Sequence, residues 1–460
     1  MVLALNDVVL ALPDDAYLPF GPEGLSSGDT AWVIAATAMV LFMTPGLAFF
    51  YGGLSRQKSV LNMMMMSYGS LGLVSVIYVL WGYSMSFSSA HTGKDAGLFF
   101  DSPFDLFGVS QLLTTKEVDG ETAYVLGGFG TVPAILWVAF QLTFAVITVA
   151  LISGSVAERM KFGTWLAFGA IWVTVVYFPL AHMVWGGGFL SGSGDGIAAK
   201  LFGVDEEGAA NVAPIDFAGG TVVHINAGMA GLVLAILLGK RAGFGKMAYR
   251  PHNVPFVLLG AAILWFGWYG FNVGSEGGAD MIAGQVFVNT TAATAAAMLG
   301  WLLVERIRDG HATSVGAASG VVAGLVAITP ACAALTPIGS IGLGAIAGVL
   351  SALAIGLKYK FGYDDSLDVV GVHLVAGLWG TIGIGFFAWS EEDSAGLFYG
   401  GDYKQLVVQI VVALCALVFT GIATAIIAFI VKPLGWRVSK EDEDTGIDET
   451  EHAETAYELA

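Results

Sequence analysis

Asp216-Phe-Ala-Gly-Gly-Thr-Val-Val-His224-Ile-Asn-Ala-Gly228 and Asp365-Ser-Leu-Asp-Val-Val-Gly-Val-His373-Leu-Val-Ala-Gly377 are two versions of one phrase, set 149 residues apart. Each reads Asp, seven residues ending in Val, then His-x-x-Ala-Gly. Both histidines stand inside apolar runs, and an ionisable side chain in hydrocarbon is costly enough to imply a function. The same costly residue in matching frames points to a duplicated membrane protein whose working site lies where the halves meet.

The rest of the chain agrees. Of its 460 residues 56% are hydrophobic and 12% charged, and its mean hydropathy is +0.75. A soluble domain carries about 25% charged residues, so composition excludes a water-soluble protein. Cys332 and Cys415 both fall in apolar segments, with no metal or disulfide spacing. Residues 1–29 read as an extracellular segment; Asp7, Asp14 and Asp15 interrupt it and no basic region precedes an apolar core, unlike a secretory signal. The formal net charge of −18 suits a halophilic host, because concentrated salt screens such repulsion within about 3 Å; an acidic surface that enriches cations is the competing reading.

Eleven apolar segments are expected, at about 30–52, 60–87, 130–155, 163–186, 215–238, 254–273, 281–304, 312–330, 338–357, 366–389 and 404–431. Arg56, Lys58, Arg159, Lys161, Lys240, Arg241, Lys246, Arg250, Arg306, Arg308, Lys358, Lys360, Lys432, Arg437 and Lys440 follow alternate segments, placing 15 of the 19 basic residues on one side. By the positive-inside rule the N-terminus is extracellular and the C-terminus cytoplasmic. The two Asp-x7-His phrases then lie on antiparallel helices. The expected architecture is an all-α polytopic protein: an inverted five-plus-five repeat, with halves at about 30–240 and 254–390, and an extra last helix at 404–431. Residues 433–460 form an acidic cytoplasmic tail. In a continuous helix eight residues rise about 12 Å, bringing both histidines near the midplane and within reach of each other.

Two neutral imidazoles in complementary tautomers can hydrogen-bond and pass a proton or hold a small polar solute. Metal binding is the rival, but no third ligand shares their frame. Asp216 and Asp365 stand at helix starts, where a carboxylate caps free N–H groups; for Asp216 a cation-orienting field is an equal alternative. Aromatic stretches, Phe140-Gln-Leu-Thr-Phe144, His182-Met-Val-Trp185-Gly-Gly-Gly and Trp265-Phe-Gly-Trp268-Tyr-Gly-Phe271-Asn-Val-Gly-Ser275, offer π faces that attract cations, although interfacial aromatic belts look alike.

The phrase at 216–228, together with His182-Met-Val-Trp185-Gly-Gly-Gly, Phe271-Asn-Val-Gly-Ser275, Thr329-Pro-Ala-Cys332 and Gly371-Val-His373, resembles the Amt/Mep/Rh ammonium transporter family, Amt branch, over residues 30–432. The resemblance implies an outer ammonium site at Trp185, Phe144, Ser275 and Asp216. It implies a gate of Phe144 and Phe271 with Phe140 nearby, and a pore whose paired histidines are His224 and His373. It further implies transport of ammonium as ammonia with a separately moving proton and a homotrimer in the cell membrane. No nucleophile or metal set accompanies the histidines, so neither a cofactor nor an enzymatic step is expected. The tail resembles those that cooperate with PII-type signalling proteins on the cytoplasmic face, while its four-acid run alone reads as solvated. A passive Rh-type gas channel and a membrane-bound ammonium sensor are the alternatives. Nothing suggests a nucleic-acid partner.

Overall fold

A computed structural model describes residues 24–118, 121–124, 128–247, 249–389 and 395–457, with backbone alone at 116–118 and 121–124. Most of the expected N-terminal segment, residues 1–23, lies outside the described residues. Among them are ten helices long and apolar enough to cross a membrane: α1 (Ser27–Leu54), α2 (Gln57–Phe87), α3 (Ala134–Val156), α4 (Phe162–Trp185), α5 (Gly220–Leu238), α6 (Val254–Val273), α7 (Met281–Arg308), α9 (Pro337–Phe361), α10 (Val370–Phe387) and α11 (Lys404–Leu434). The shorter apolar helix α8 (Ser314–Ile328) has 15 residues.

Local chemistry sets the helix starts. Ser26, Asn253, Asp280, Thr313 and Thr336 each accept a backbone N–H from the first turn of α1, α6, α7, α8 and α9, and Pro255 and Pro337 occupy first-turn positions where no donor is missed. Once folded, Trp165, Trp172, Trp268, Trp301, Tyr51 and Tyr177 are enclosed, while Phe42, Leu259, Phe266, Leu303, Ile422 and Phe429 remain exposed on helix faces. Exposed apolar side chains in such number suit a lipid solvent. The chain is a multi-pass membrane protein.

Helices α5 and α10 cross at the centre, and α11 packs along both. The crossing is tight and reciprocal. A Cβ added at Gly228 of α5 would lie 2.5 Å from the backbone nitrogen of Leu374, and one at Gly377 of α10 would lie 3.1 Å from Cβ of His224. The glycine of each phrase thus seats the opposite helix beside the opposite histidine, an approach only small residues permit.

Three expectations change. The helices do not begin at 215 and 366: α5 starts at Gly220 and α10 at Val370. Gly219 (φ 113°) and Asp368 (φ 63°) turn the chain through the left-handed region just before each, and the first residues, Gly220–Ile225 and Val370–Val375, form wide π-helical turns. Each histidine therefore sits near its helix start, not 12 Å along a regular helix from its Asp. Nor is the chain purely helical. Between α2 and α3, β1 (Thr115–Val118) pairs antiparallel with β2 (Glu121–Tyr124), and β3 (Gly128–Phe129) with β4 (Val132–Pro133); the intervening sequence Asp119-Gly120 is a strong hairpin signal.

Third, the acidic tail is not simply solvated. It forms α12 (Lys440–Thr445) behind the Ser439 capping box, then α13 (Ile447–His452). Glu443 and Asp448 are buried. Glu443 accepts from Ala242 N at 2.6 Å and Arg437 at 3.1 Å, and Asp448 accepts from the backbone N–H groups of Leu61 and Asn62.

Candidate functional site

The site begins with Asp216. Its Oδ1 accepts N–H bonds from Gly219 (3.1 Å) and Gly220 (2.6 Å), and its Oδ2 from Thr221 (2.9 Å) and Val222 (3.2 Å). All four otherwise orphaned amides at the start of α5 converge on one carboxylate. The geometry is that of a cap, with both oxygens turned to backbone. Asp365 does the same more sparingly, accepting from Val370 N at 2.8 Å.

The wide turn after each cap presents a histidine inward. His224 and His373 are buried, their Nδ1 atoms are 3.4 Å apart and their ring planes differ by 21°. One Nδ1 donates only if the other is bare, so the pair requires complementary tautomers. The Nε2 of His224 is buried without a hydrogen-bond partner. Among the described residues there is no group of three or more His, Cys, Asp and Glu side chains that could hold a metal.

Aromatic rings continue from the pair. Phe271 lies 6.2 Å from the His224 ring centroid and stacks on Phe144 at 4.1 Å and 16°. Phe140 is 4.9 Å from Phe144. Trp185 meets Phe144 edge-on at 6.2 Å, and its indole N–H donates to the carbonyl of Asp216 at 2.8 Å, leaving a partly exposed π face. Ser275 donates its hydroxyl to Phe271 O at 2.7 Å. Beside it, burial and the neighbouring Asp280 charge raise the Glu276 carboxyl to about 7. Trp185, Phe144, Phe140, Phe271, Ser275, His224 and His373 thus fall in one connected cluster, with Asp216 behind it, while Asp365 stands apart at the start of α10.

Two features were not assigned beforehand. Trp268 stacks on His224 at 5.4 Å and 17° and donates to Thr329 at 2.8 Å, covering one face of the imidazole. Both residues belong to quoted motifs, but their contact is between α6 and the end of α8. At the opposite end of α5 a charge network is almost closed to water: Glu158 binds Arg56 at 2.7 Å and Arg241 at 3.2 Å, and Arg241 binds Asp364 at 2.9 Å. Burial opposes the Asp364 charge, but the Arg241 guanidinium outweighs it and holds the carboxyl below its usual range. Arg159 is fully buried, donating to Ser155 O, Asp364 O and Ser366. These charges fall in short connections where sequence shows them only as flanking residues.

Comparison with known proteins gives a family. Residues 31–457 match the family described as "Ammonium Transporter Family". A protein of Mycobacterium tuberculosis named "Ammonium transporter" is 54% identical over 454 residues, covering 95% of this chain and 91% of the relative. One from Aquifex aeolicus with the same name is 45% identical over 442 residues, covering 95% and 94%. Among solved structures, Candida albicans Mep2 superimposes with a TM-score of 0.77 at 32% identity, over 91% of this chain and 88% of that one.

Proposed function

The chain belongs to the ammonium transporter family, and from that premise we propose how it moves its substrate. Ammonium is recruited at Trp185, Phe144 and Ser275, loses a proton, and passes as ammonia between Phe144 and Phe271 and along His224 and His373, while the proton moves from ring to ring. The observation that carries this reading is the 3.4 Å contact between the two imidazoles, buried below a stacked phenyl pair.

Energetics favour it. Carrying a bare ion into an apolar pore costs on the order of 20 kcal/mol by an idealised Born estimate, and still several after relaxation. Deprotonating ammonium near neutral pH, about two pKa units below its own, costs roughly 3 kcal/mol. The indole face of Trp185 offsets part of the ion's lost hydration. Asp216 acts as the brace that fixes Trp185 and the start of α5.

The same reading extends to architecture. α8 is an eleventh crossing, completed by the buried segment after Ile328, and α1–α5 and α6–α10 are inverted halves; the reciprocal Gly228 and Gly377 contacts support this. The N-terminus faces outward and the tail inward, three copies assemble in the cell membrane, and the acidic surface suits a saline host. A PII-type protein docks on the inner face with help from the tail. Pull-down from lysate should recover it with the full chain and weakly after truncation at Ser439; equal recovery refutes the tail's part.

The transport mechanism is tested in proteoliposomes carrying wild type or the double variant H224A/H373A. Ammonium should evoke current in the wild type, and the variant should lose it even if neutral ammonia still crosses. Wild-type current in the variant refutes the relay. Neutral flux without current in the wild type favours a gas channel of the Rh type, and no flux at all favours a sensor.

A further inference from the structure

His182 is fully buried in the last turn of α4, three residues before Trp185. Its Nδ1 lies 3.0 Å from Ser86 O and its Nε2 lies 2.5 Å from Gly97 O. Both partners are carbonyl oxygens and can only accept. A neutral imidazole has one N–H, so it would meet one carbonyl with a lone pair; only the imidazolium satisfies both. The carboxylate of Asp101, itself buried, stands 3.7 Å from Nδ1. It is held there by the N–H groups of Ser89 (2.7 Å) and Gly97 (3.1 Å). The C-terminal end of α4 adds a favourable field for a cation.

We infer that His182 is a doubly protonated imidazolium paired with Asp101, and that it is the positioning residue for Trp185. The link is short. The carbonyl of His182 accepts N–H bonds from Gly186 (2.8 Å) and Gly188 (3.2 Å), the turn that directly follows Trp185. A Cβ at Gly186 or Gly188 would lie 2.6 Å from Nδ1 or 2.9 Å from Cδ2 of the ring. The glycine turn is therefore wrapped on the imidazole, and the ring ties it to the segment between α2 and α3. Other ionisable groups of that segment are engaged elsewhere: the His91 ring meets the Tyr83 hydroxyl at 2.6 Å and Lys94 pairs with Asp105 at 2.8 Å. Asp95 lies at the rim of a cavity of ≈ 770 Å³. On the far side of Trp185, Asp216 is saturated by the amides of α5. Asp101 is thus the counter-charge facing the ring. Loss of the proton would leave one carbonyl opposed to a lone pair and Asp101 uncompensated, loosening the turn that aims the indole.

This inference rests on Trp185 being part of the recruiting site, but the protonation state is testable apart from transport. The first experiment is nitrogen NMR of the full-length protein with labelled histidines, His182 being assigned by its absence from H182Q. Both ring nitrogens should carry protons at pH 7; one bare nitrogen overturns the proposal. The second measures currents in proteoliposomes at fixed ammonium-ion concentration across pH. H182Q, which cannot donate from two separated nitrogens, should raise the half-saturating concentration roughly tenfold, with a smaller fall in maximal current. D101N, which removes the charge facing the ring, should raise the half-saturating concentration as well. Unchanged half-saturation and pH profile in both variants overturn the positioning role, and where H182Q does not fold, the wild-type pH-dependent spectrum and D101N decide. W185L with wild-type affinity would instead sink the recruiting site, while leaving the NMR result intact.

Discussion

Replacing Asp216 by Asn separates two roles that the sequence leaves open. An amide keeps one acceptor oxygen, so the pair of bonds at Oδ1, from Gly219 and Gly220, survives. The other pair, from Thr221 at 2.9 Å and Val222 at 3.2 Å, then faces an NH2 group and has no acceptor. Each buried N–H left unmade costs about 1–3 kcal/mol, so D216N should lose roughly 2–6 kcal/mol of stability, and Asp216→Ala should lose more because four amides are stranded. The helix start carries His224 and, through the Asp216 carbonyl, the Trp185 indole, so current should fall together with stability. The assay pairs thermal unfolding of the purified protein, read by tryptophan fluorescence, with ammonium currents in liposomes. Wild-type unfolding in D216N combined with a selective loss of ammonium affinity refutes the cap and assigns Asp216 to the ion.

Three further outcomes follow from the same geometry. Trp185→Leu removes the π face and should weaken both apparent ammonium affinity and discrimination against other monovalent ions, read from current titrations; unchanged titrations exclude the indole. Gly228→Ala places a methyl 2.5 Å from Leu374 N, which forces α5 and α10 apart at a cost of about 1–3 kcal/mol and should abolish current through separation of the histidines; full activity refutes the tight crossing. Asp364→Asn leaves Arg241 underpaired, costing about 3–5 kcal/mol in denaturant titration, while Arg159 keeps its bond to the main-chain carbonyl of residue 364. Because Arg241 lowers the folded carboxyl below its usual value, the Asp364 contribution is present above about pH 4 and lost as pH falls through the lowered value; the variant should lack that part of the acid limb.

Membrane class, the helical segments and the candidate cluster were legible because they depend on local apolarity and on a repeated thirteen-residue phrase. Helix starts at α5 and α10 were not, because Asp216 competes for the amides of four following residues and Gly219 makes the left-handed turn possible. Periodicity records neither effect. Trp268 stood in a quoted motif, yet its place against His224 depends on how α6 and α5 approach. The tail illustrates the same limit: four consecutive acids read as solvated, whereas Glu443 finds Ala242 N and Arg437 only after the bundle has closed.

The buried charges at the far end of α5 carry a consequence for how the chain is made. Glu158 can meet Arg56 as soon as α3 has been synthesised, but Asp364, the bidentate partner of Arg241, is 123 residues later, and Glu443, the acceptor for Ala242 N, is 201 residues beyond that amide. During synthesis these groups must stay hydrated, since a charge without its partner does not leave water cheaply. That face of the protein therefore dries last, in the order in which the ribosome delivers Asp364 and then the tail. A chain halted before Asp364 would carry an open, wet seam of unmatched charge, which distinguishes an unfinished bundle from a finished one.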